Sequence, residues 1–196
     1  MSAAVSARTV RRAEGLDPVR ALQRVLYRSA KQDPERRFHA LFDKVARSDV
    51  MWRAWVDVAT NQGAPGIDGV SIAAIEAGGV ESVRAFLDGL AERLRTGSYR
   101  PQPLRRVHIP KPGQPGQTRP LGIPTVGDRV VMTAAKIVLE PIFEADFHPV
   151  SFGFRPKRST RQALEAVRVA ANEGRMWVLD ADIKACLDVP SHCSFR

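Results

Sequence analysis

The chain has 196 residues, 44% hydrophobic and 26% charged, with 30 Lys+Arg against 21 Asp+Glu and a net charge of +9. This composition excludes wholesale disorder. No run approaches the ~20 apolar residues of a membrane span, and two cysteines, Cys186 and Cys193, make neither a disulfide framework nor a four-ligand zinc site. The N-terminus, with Arg8, Arg11 and Arg12, lacks the apolar core of a signal peptide. The expectation is a soluble, cytoplasmic protein of one domain, or one plus a fragment, whose large partner is a polyanion.

In chain order, Asp17-Pro18 reads as an N-cap followed by Pro at the first helical position, with Val19, Leu22 and Leu26 at helical spacing. The spacing of Phe38, Leu41, Phe42 and Val45 predicts a second helix over 36–46. Asp49 is placed to cap a third, which carries Met51, Trp52, Trp55, Val56 and Ala59. Residues 61–69, Asn-Gln-Gly-Ala-Pro-Gly-Ile-Asp-Gly, form a turn cluster. Helical period returns over 80–95 through Val83, Phe86, Leu87, Leu90 and Leu94, and Gly97 ends it.

The period then changes. Val107 and Ile109 alternate with polar residues as a half-buried strand would. Residues 110–118 read as a loop, and 119–125 as extended chain, because each proline biases its predecessor away from helix. The pair predicts a two-stranded hairpin with a long, basic tip. Thr125 can cap a helix through Val130, Val131, Ala134, Val138 and Leu139, which Pro141 should kink or interrupt. Residues 151–157 are an aromatic-basic loop in which Phe154 reads as core. Ser159 with Gln162 is a capping box opening a helix through Leu164, Val167 and Ala170. Residues 176–183, Met-Trp-Val-Leu-Asp-Ala-Asp-Ile, read as an apolar strand delivering carboxylates at its end.

The charge is uneven. Between Arg100 and Lys136 there are seven bases, one acid (Asp128) and half of the chain's 14 prolines. A stiff basic element without interspersed acids suits a phosphate backbone. The basic N-terminal block is as readily a solvated face. Lys111 and Arg119 flank the hairpin tip, where a point-charge amine and a forked guanidinium could close over a triphosphate. In isolation either is ordinary solubilising charge. Phe152, Phe154, Arg155, Lys157 and Arg158 interleave rings and bases, a mixture that stacks on nucleobases and binds phosphates. Asp180 and Asp182 share a strand face and supply the hard oxygen ligands that Mg²⁺ takes, although acids ending a strand are more often solvated turn-formers. His39, His108, His148 and His192 have no metal-ligand spacing, and there is no phosphate-binding glycine loop of Walker type.

Six ordered motifs carry a family likeness: 61–69, Tyr99-Arg-Pro-Gln-Pro103, Ile109-Pro-Lys-Pro112, Arg119-Pro-Leu-Gly-Ile-Pro-Thr125, Ser151-Phe-Gly-Phe-Arg-Pro156 and Asp180-Ala-Asp-Ile-Lys184. Over roughly residues 35–188 the chain resembles the N-terminal portion of a bacterial group II intron reverse transcriptase/maturase. The resemblance implies an α+β, right-hand polymerase fold, present in part. Residues 1–34 would be a variable leader, 35–98 a helical N-terminal extension gripping template RNA, 99–175 the fingers, and 176–196 the start of the palm. It implies Asp182 as the catalytic, metal-binding aspartate, with the Ile183 carbonyl as a second metal ligand. Lys111 and Arg119 would contact the nucleotide triphosphate, and Arg105, Arg106, Arg155, Lys157 and Arg158 the RNA. The implied activity is RNA-directed DNA polymerisation with a maturase and retrohoming role. Its partners would be intron or template RNA, a DNA primer or target, and deoxynucleoside triphosphates. Its cofactor would be two Mg²⁺ ions acting in phosphoryl transfer.

Two departures stand beside the matches. Cys186 and Leu187 occupy positions where the family places bulky or aromatic residues, the second of which screens the sugar 2′ position. Beyond Asp188 the match stops, and the Tyr-x-Asp-Asp-type box that supplies the other catalytic aspartates does not follow. The expectation is a truncated or frameshifted product, inactive as a polymerase alone. The alternatives are a non-enzymatic RNA-binding remnant and a pseudogene product with an open sheet edge. Purified chain is expected to give no primer extension; extension abolished by Asp182→Ala would overturn this.

Overall fold

The structure, a computed structural model, describes residues 17–114 and 116–182. It is a mixed fold of helices and one small antiparallel sheet, and it divides after Phe147 into two units.

In the first unit the helices are α1 (Pro18–Gln32), α2 (Phe42–Val45), α3 (Ser48–Thr60), α4 (Ile72–Glu76), α5 (Gly79–Arg95) and α6 (Val126–Asp146), with strands β1 (Arg105–Pro110) and β2 (Thr118–Ile123) between α5 and α6. The core forms where α1, α2 and α3 pack on α6 and where α3 and α4 pack on α5. Its most enclosed side chains are Met51, Leu90, Val50, Val126, Val130 and Val138. Trp55 of α3 meets Phe86 of α5 edge to face, with ring centroids 5.9 Å apart, a contact worth ~1 kcal/mol beyond its buried area.

Several elements form as the local chemistry dictates. Asp17 caps α1 through the backbone N–H of Val19 and Arg20, and its carboxylate also takes Arg53 of α3. Gly97 sits at φ +67° after α5, the left-handed turn that ends a helix. The hairpin pairs Arg105 with Ile123 through to Pro110 with Thr118, and residues 61–69 hold no regular element.

Other expectations need correction. The helix over 36–46 shrinks to α2, one turn. Asp33 starts an Asx turn, taking Glu35 N–H on its side chain and Arg36 N–H on its carbonyl. The following non-helical stretch still packs Phe38 and Leu41 against the core, and Phe42 is exposed. Helix α3 begins at Ser48 with Arg47 as its cap residue, and the Asp49 carboxylate pairs with the Arg47 guanidinium instead. Helix α4, capped by Ser71, was not anticipated.

Helix α6 runs unbroken through Pro141. Proline has no N–H for the carbonyl of Ile137 four residues back. The side-chain amide of Gln23, in α1, donates to that carbonyl at 3.1 Å. Two turns on, Lys31 Nζ donates at 3.2 Å to the carbonyl of Ala145, one of the unpaired acceptors at the end of α6. The equal steps of eight residues show that α1 runs parallel to α6.

The second unit holds α7 (Thr160–Asn172), opened by the Ser159–Gln162 capping box. None of the α7 residues is buried, and Leu164 and Val167 are exposed. Phe154 lies at φ +55° and is fully exposed, so it is not core. Residues 176–182 form no strand, and Met176, Trp177, Val178 and Leu179 are almost wholly exposed. A strand exists by exchanging hydrogen bonds with a neighbour, and among the described residues none pairs with this segment.

Gln23→Leu is expected to strand the Ile137 carbonyl and destabilise the first unit by about 1–2 kcal/mol. Pro141→Ala restores the missing donor, so the double variant should lose less than the single. Urea denaturation of the four proteins checks this cycle.

Candidate nucleic-acid interface

Three of the six motifs converge on the first turn of α6. Thr125 is its N-cap, with Oγ1 accepting the Asp128 N–H at 3.1 Å. The Asp128 carboxylate is buried and points back out of the helix. Its Oδ1 accepts Tyr99 OH at 2.5 Å, and its Oδ2 accepts both the Gln102 N–H at 3.1 Å and Thr125 Oγ1–H at 2.7 Å. Burial, then the hydrogen bond to Asp128, drives the Tyr99 phenol far above its ordinary pKa, so it stays a donor. Arg93 lies over the Tyr99 ring at 5.9 Å.

The 61–69 cluster docks beside this network. Arg129 Nη2 donates to the Ala64 carbonyl at 2.6 Å. Gly66 lies so close that a Cβ there would sit 2.5 Å from Thr125 Cα and 2.7 Å from Thr125 N. Between Asp68, Phe86, Arg93, Tyr99, Arg100 and the α6 N-terminus lies a cleft of about 260 Å³.

The hairpin springs from this platform. None of its described residues belongs to the buried core. One face carries Arg105, Val107, Ile109, Arg119, Leu121 and Ile123, and the other Arg106, His108, Pro110, Thr118, Pro120 and Gly122. On β1 the first face is half-buried and the second exposed. Arg105 and Arg106 therefore point to opposite sides, and only Arg105 shares a face with Arg119, about 14 Å along the strand. Arg105 Nε is enclosed without a hydrogen-bond partner. Lys111 and Arg119 are both exposed at the tip. The tip closes through Lys111 N–H to the Gln117 carbonyl at 3.0 Å, with Lys111 Nζ 3.4 Å from Gln117 Oε1.

In the second unit Arg155 is buried and donates from Nη1 to the carbonyls of His148 at 2.9 Å and Ser151 at 2.6 Å, which shapes the loop. Arg158 lies over the Phe152 ring at 5.6 Å, and Lys157 is exposed at φ +60°. Asp180 and Asp182 are exposed. Ile183 lies outside the described residues, and among those described no group of three or more metal-ligating side chains occurs.

Sequence reasoning missed Tyr99, Asp128, Gly66 and Arg129 as site builders. Two signals pointed there: Asp128 is the lone acid among seven bases, and Thr125-x-x-Asp128 has capping-box spacing. Gly66→Ala should destabilise the first unit by about 1–3 kcal/mol, because its new methyl meets backbone, which cannot swing aside. Thermal unfolding checks this, with Gly89→Ala as the control, since a Cβ at Gly89 meets nothing within 4 Å.

Residues 109–191 match the sequence profile of the family described as Reverse transcriptase (RNA-dependent DNA polymerase). Protein YkfC of Escherichia coli K12 is 36% identical over 178 residues, 87% of this chain and 45% of that protein. Group II intron-encoded protein LtrA of Lactococcus lactis subsp. cremoris is 31% identical over 177 residues, 90% of this chain and 28% of LtrA. The putative COX1/OXI3 intron 1 protein of Saccharomyces cerevisiae is 35% identical over 107 residues, 55% of this chain and 12% of that protein. The chain thus spans less than half the length of these curated relatives. Over most of its length it resembles part of group II intron-encoded reverse transcriptases and maturases.

Proposed function

We propose that the chain is the RNA-gripping and nucleotide-gripping part of a group II intron reverse transcriptase, which polymerises DNA on an RNA template in the whole protein. The observation that carries this reading is the hairpin. It presents Arg106, Lys111 and Arg119, with no acid in either strand or in the tip, on an element standing outside the core. In this reading residues 99–175 are fingers, 35–98 an N-terminal extension and 176–196 the entry to the palm, while α1, which packs on α6, belongs with the extension and not with a leader. Lys111 and Arg119 meet the triphosphate of an incoming deoxynucleotide, the first as a compact charge and the second as a fork that matches phosphate oxygens. Arg105, Arg106, Lys157 and Arg158 meet RNA, while Arg155 holds the shape of the loop that presents the last two. Asp182, with the Ile183 carbonyl, would hold Mg²⁺, whose chemistry is to activate the primer hydroxyl and neutralise the leaving phosphates.

One carboxylate and a carbonyl do not make a two-metal site, so the chain by itself is expected to bind without catalysing. A second reading, an RNA-binding protein with no enzymatic role, is favoured by α1. Its exposed residues Arg20, Arg24 and Arg28 recur every four residues, and no acid occurs in the helix. Arg24 and Arg28 make no ion pair among the described residues. Both readings require RNA binding, and only the first requires the tip to take a triphosphate.

Single-stranded RNA affinity should fall steeply with salt. The Arg106→Gln/Lys157→Gln/Arg158→Gln variant should flatten the slope of log K against log salt by about 2, at ~0.7 per phosphate contact. Absence of RNA binding at low salt, or an unchanged slope, would remove the proposal. A Mg²⁺–deoxynucleoside triphosphate titration of the Lys111→Gln/Arg119→Gln variant separates the two readings.

A further inference from the structure

We propose that Asp128, with Tyr99, is the positioning pair that sets the angle of the hairpin and thereby places Lys111 and Arg119. The inference rests on the preceding reading for what the tip grips, and on the geometry alone for the hinge.

The two roots of the hairpin meet at one carboxylate. Strand β1 begins three residues after Gln102, and β2 ends two residues before Thr125. Both of those residues donate to the same oxygen, Asp128 Oδ2, while Tyr99 holds the other. Asp128 stands in the first turn of the longest helix, packed by α1, α2 and α3, so the carboxylate is fixed to the rigid body. No described residue of the hairpin belongs to the core, and the hydrogen bonds that tie it to that body are at its roots.

The lever is long. Six residues of strand at ~3.4 Å each carry the tip about 20 Å from the root, so a 10° change there displaces it roughly 3–4 Å. Phosphate-gripping side chains must be placed within ~0.5 Å to act together. Removing a donor from Asp128 would therefore disperse the tip without touching the side chains that grip.

Spin labels at Gln114→Cys and Arg84→Cys, in a Cys186→Ser/Cys193→Ser background, read the distance from hairpin tip to α5. A control pair at Asp57→Cys and Arg84→Cys reads α3 against α5. Two variants remove one donor each. Tyr99→Phe takes the phenol OH. Gln102→Pro takes the backbone N–H, at a site where 101 and 103 are already proline. Each should shift or broaden the tip distance by several ångströms and leave the control distance unchanged.

Asp128→Asn, which turns an amide donor toward the same donors, should do more. Should it fail to fold, the two single-donor variants decide. An unchanged tip distance in both would overturn the proposal. So would equal change in tip and control distances, which would mean that the network merely stabilises the body. These measurements need no nucleotide. If Lys111→Gln/Arg119→Gln leaves triphosphate affinity unaltered, the reading of the tip fails while the hinge stands.

Discussion

A buried carboxylate with no ion-pair partner among the described residues organises the first unit. Asp128 is removed from water, which by itself is strongly unfavourable for a charge. It is held there by a phenol, a hydroxyl and a backbone N–H, and by the partial positive charge at the start of α6. Charge-assisted hydrogen bonds of this kind contribute about 1.5–3 kcal/mol each, and removing the acceptor leaves three donors to be satisfied elsewhere. The geometry of residues 99–102, of the hairpin, and of the 61–69 cluster packed through Gly66 on Thr125 all refers back to this one side chain.

The body that holds Asp128 is built for rigidity. Helix α6 carries a proline in its interior, and the gap in its ladder is filled from α1 by Gln23. Residues near the N-terminus of the described chain thereby complete a helix more than a hundred residues away. The hairpin, by contrast, is held by its own cross-strand bonds and by the hydrogen bonds at its roots, and none of its described residues belongs to the core. The hairpin's basic charge thus stands on an element outside the core, while the packed helices fix where its roots are held.

Much of this was legible where the cause was local. Asp17-Pro18, the Ser159–Gln162 box, Gly97 after α5 and Thr125 before α6 are each set by hydrogen bonds within four residues, and all form as read. The hairpin was legible because alternation and proline placement act over one strand. The failures share a physical reason. Phe38 and Leu41 satisfy the core as well from irregular chain as from a helix, so their spacing did not distinguish the two. Residues 176–182 have strand composition, but a strand is made by its neighbour, and none of the described residues plays that part. Phe154 has a core side chain on a backbone that turns it outward.

By itself, then, the sequence determined four of the helix ends, the hairpin, the basic surplus, and the ordered motifs that relate the chain to intron-encoded reverse transcriptases. Those features depend on short-range sterics, on period and on residue chemistry. Tertiary structure alone decided which of the bases are exposed, which are committed to shaping a loop, as Arg155 is, and on which side of the hairpin each arginine stands. It also gave the lone acid of the basic block its task. Thr125 and Asp128 lie three residues apart in the chain, but the phenol and the N–H that complete the site arrive from 26 to 29 residues away, and only folding brings them to one carboxylate.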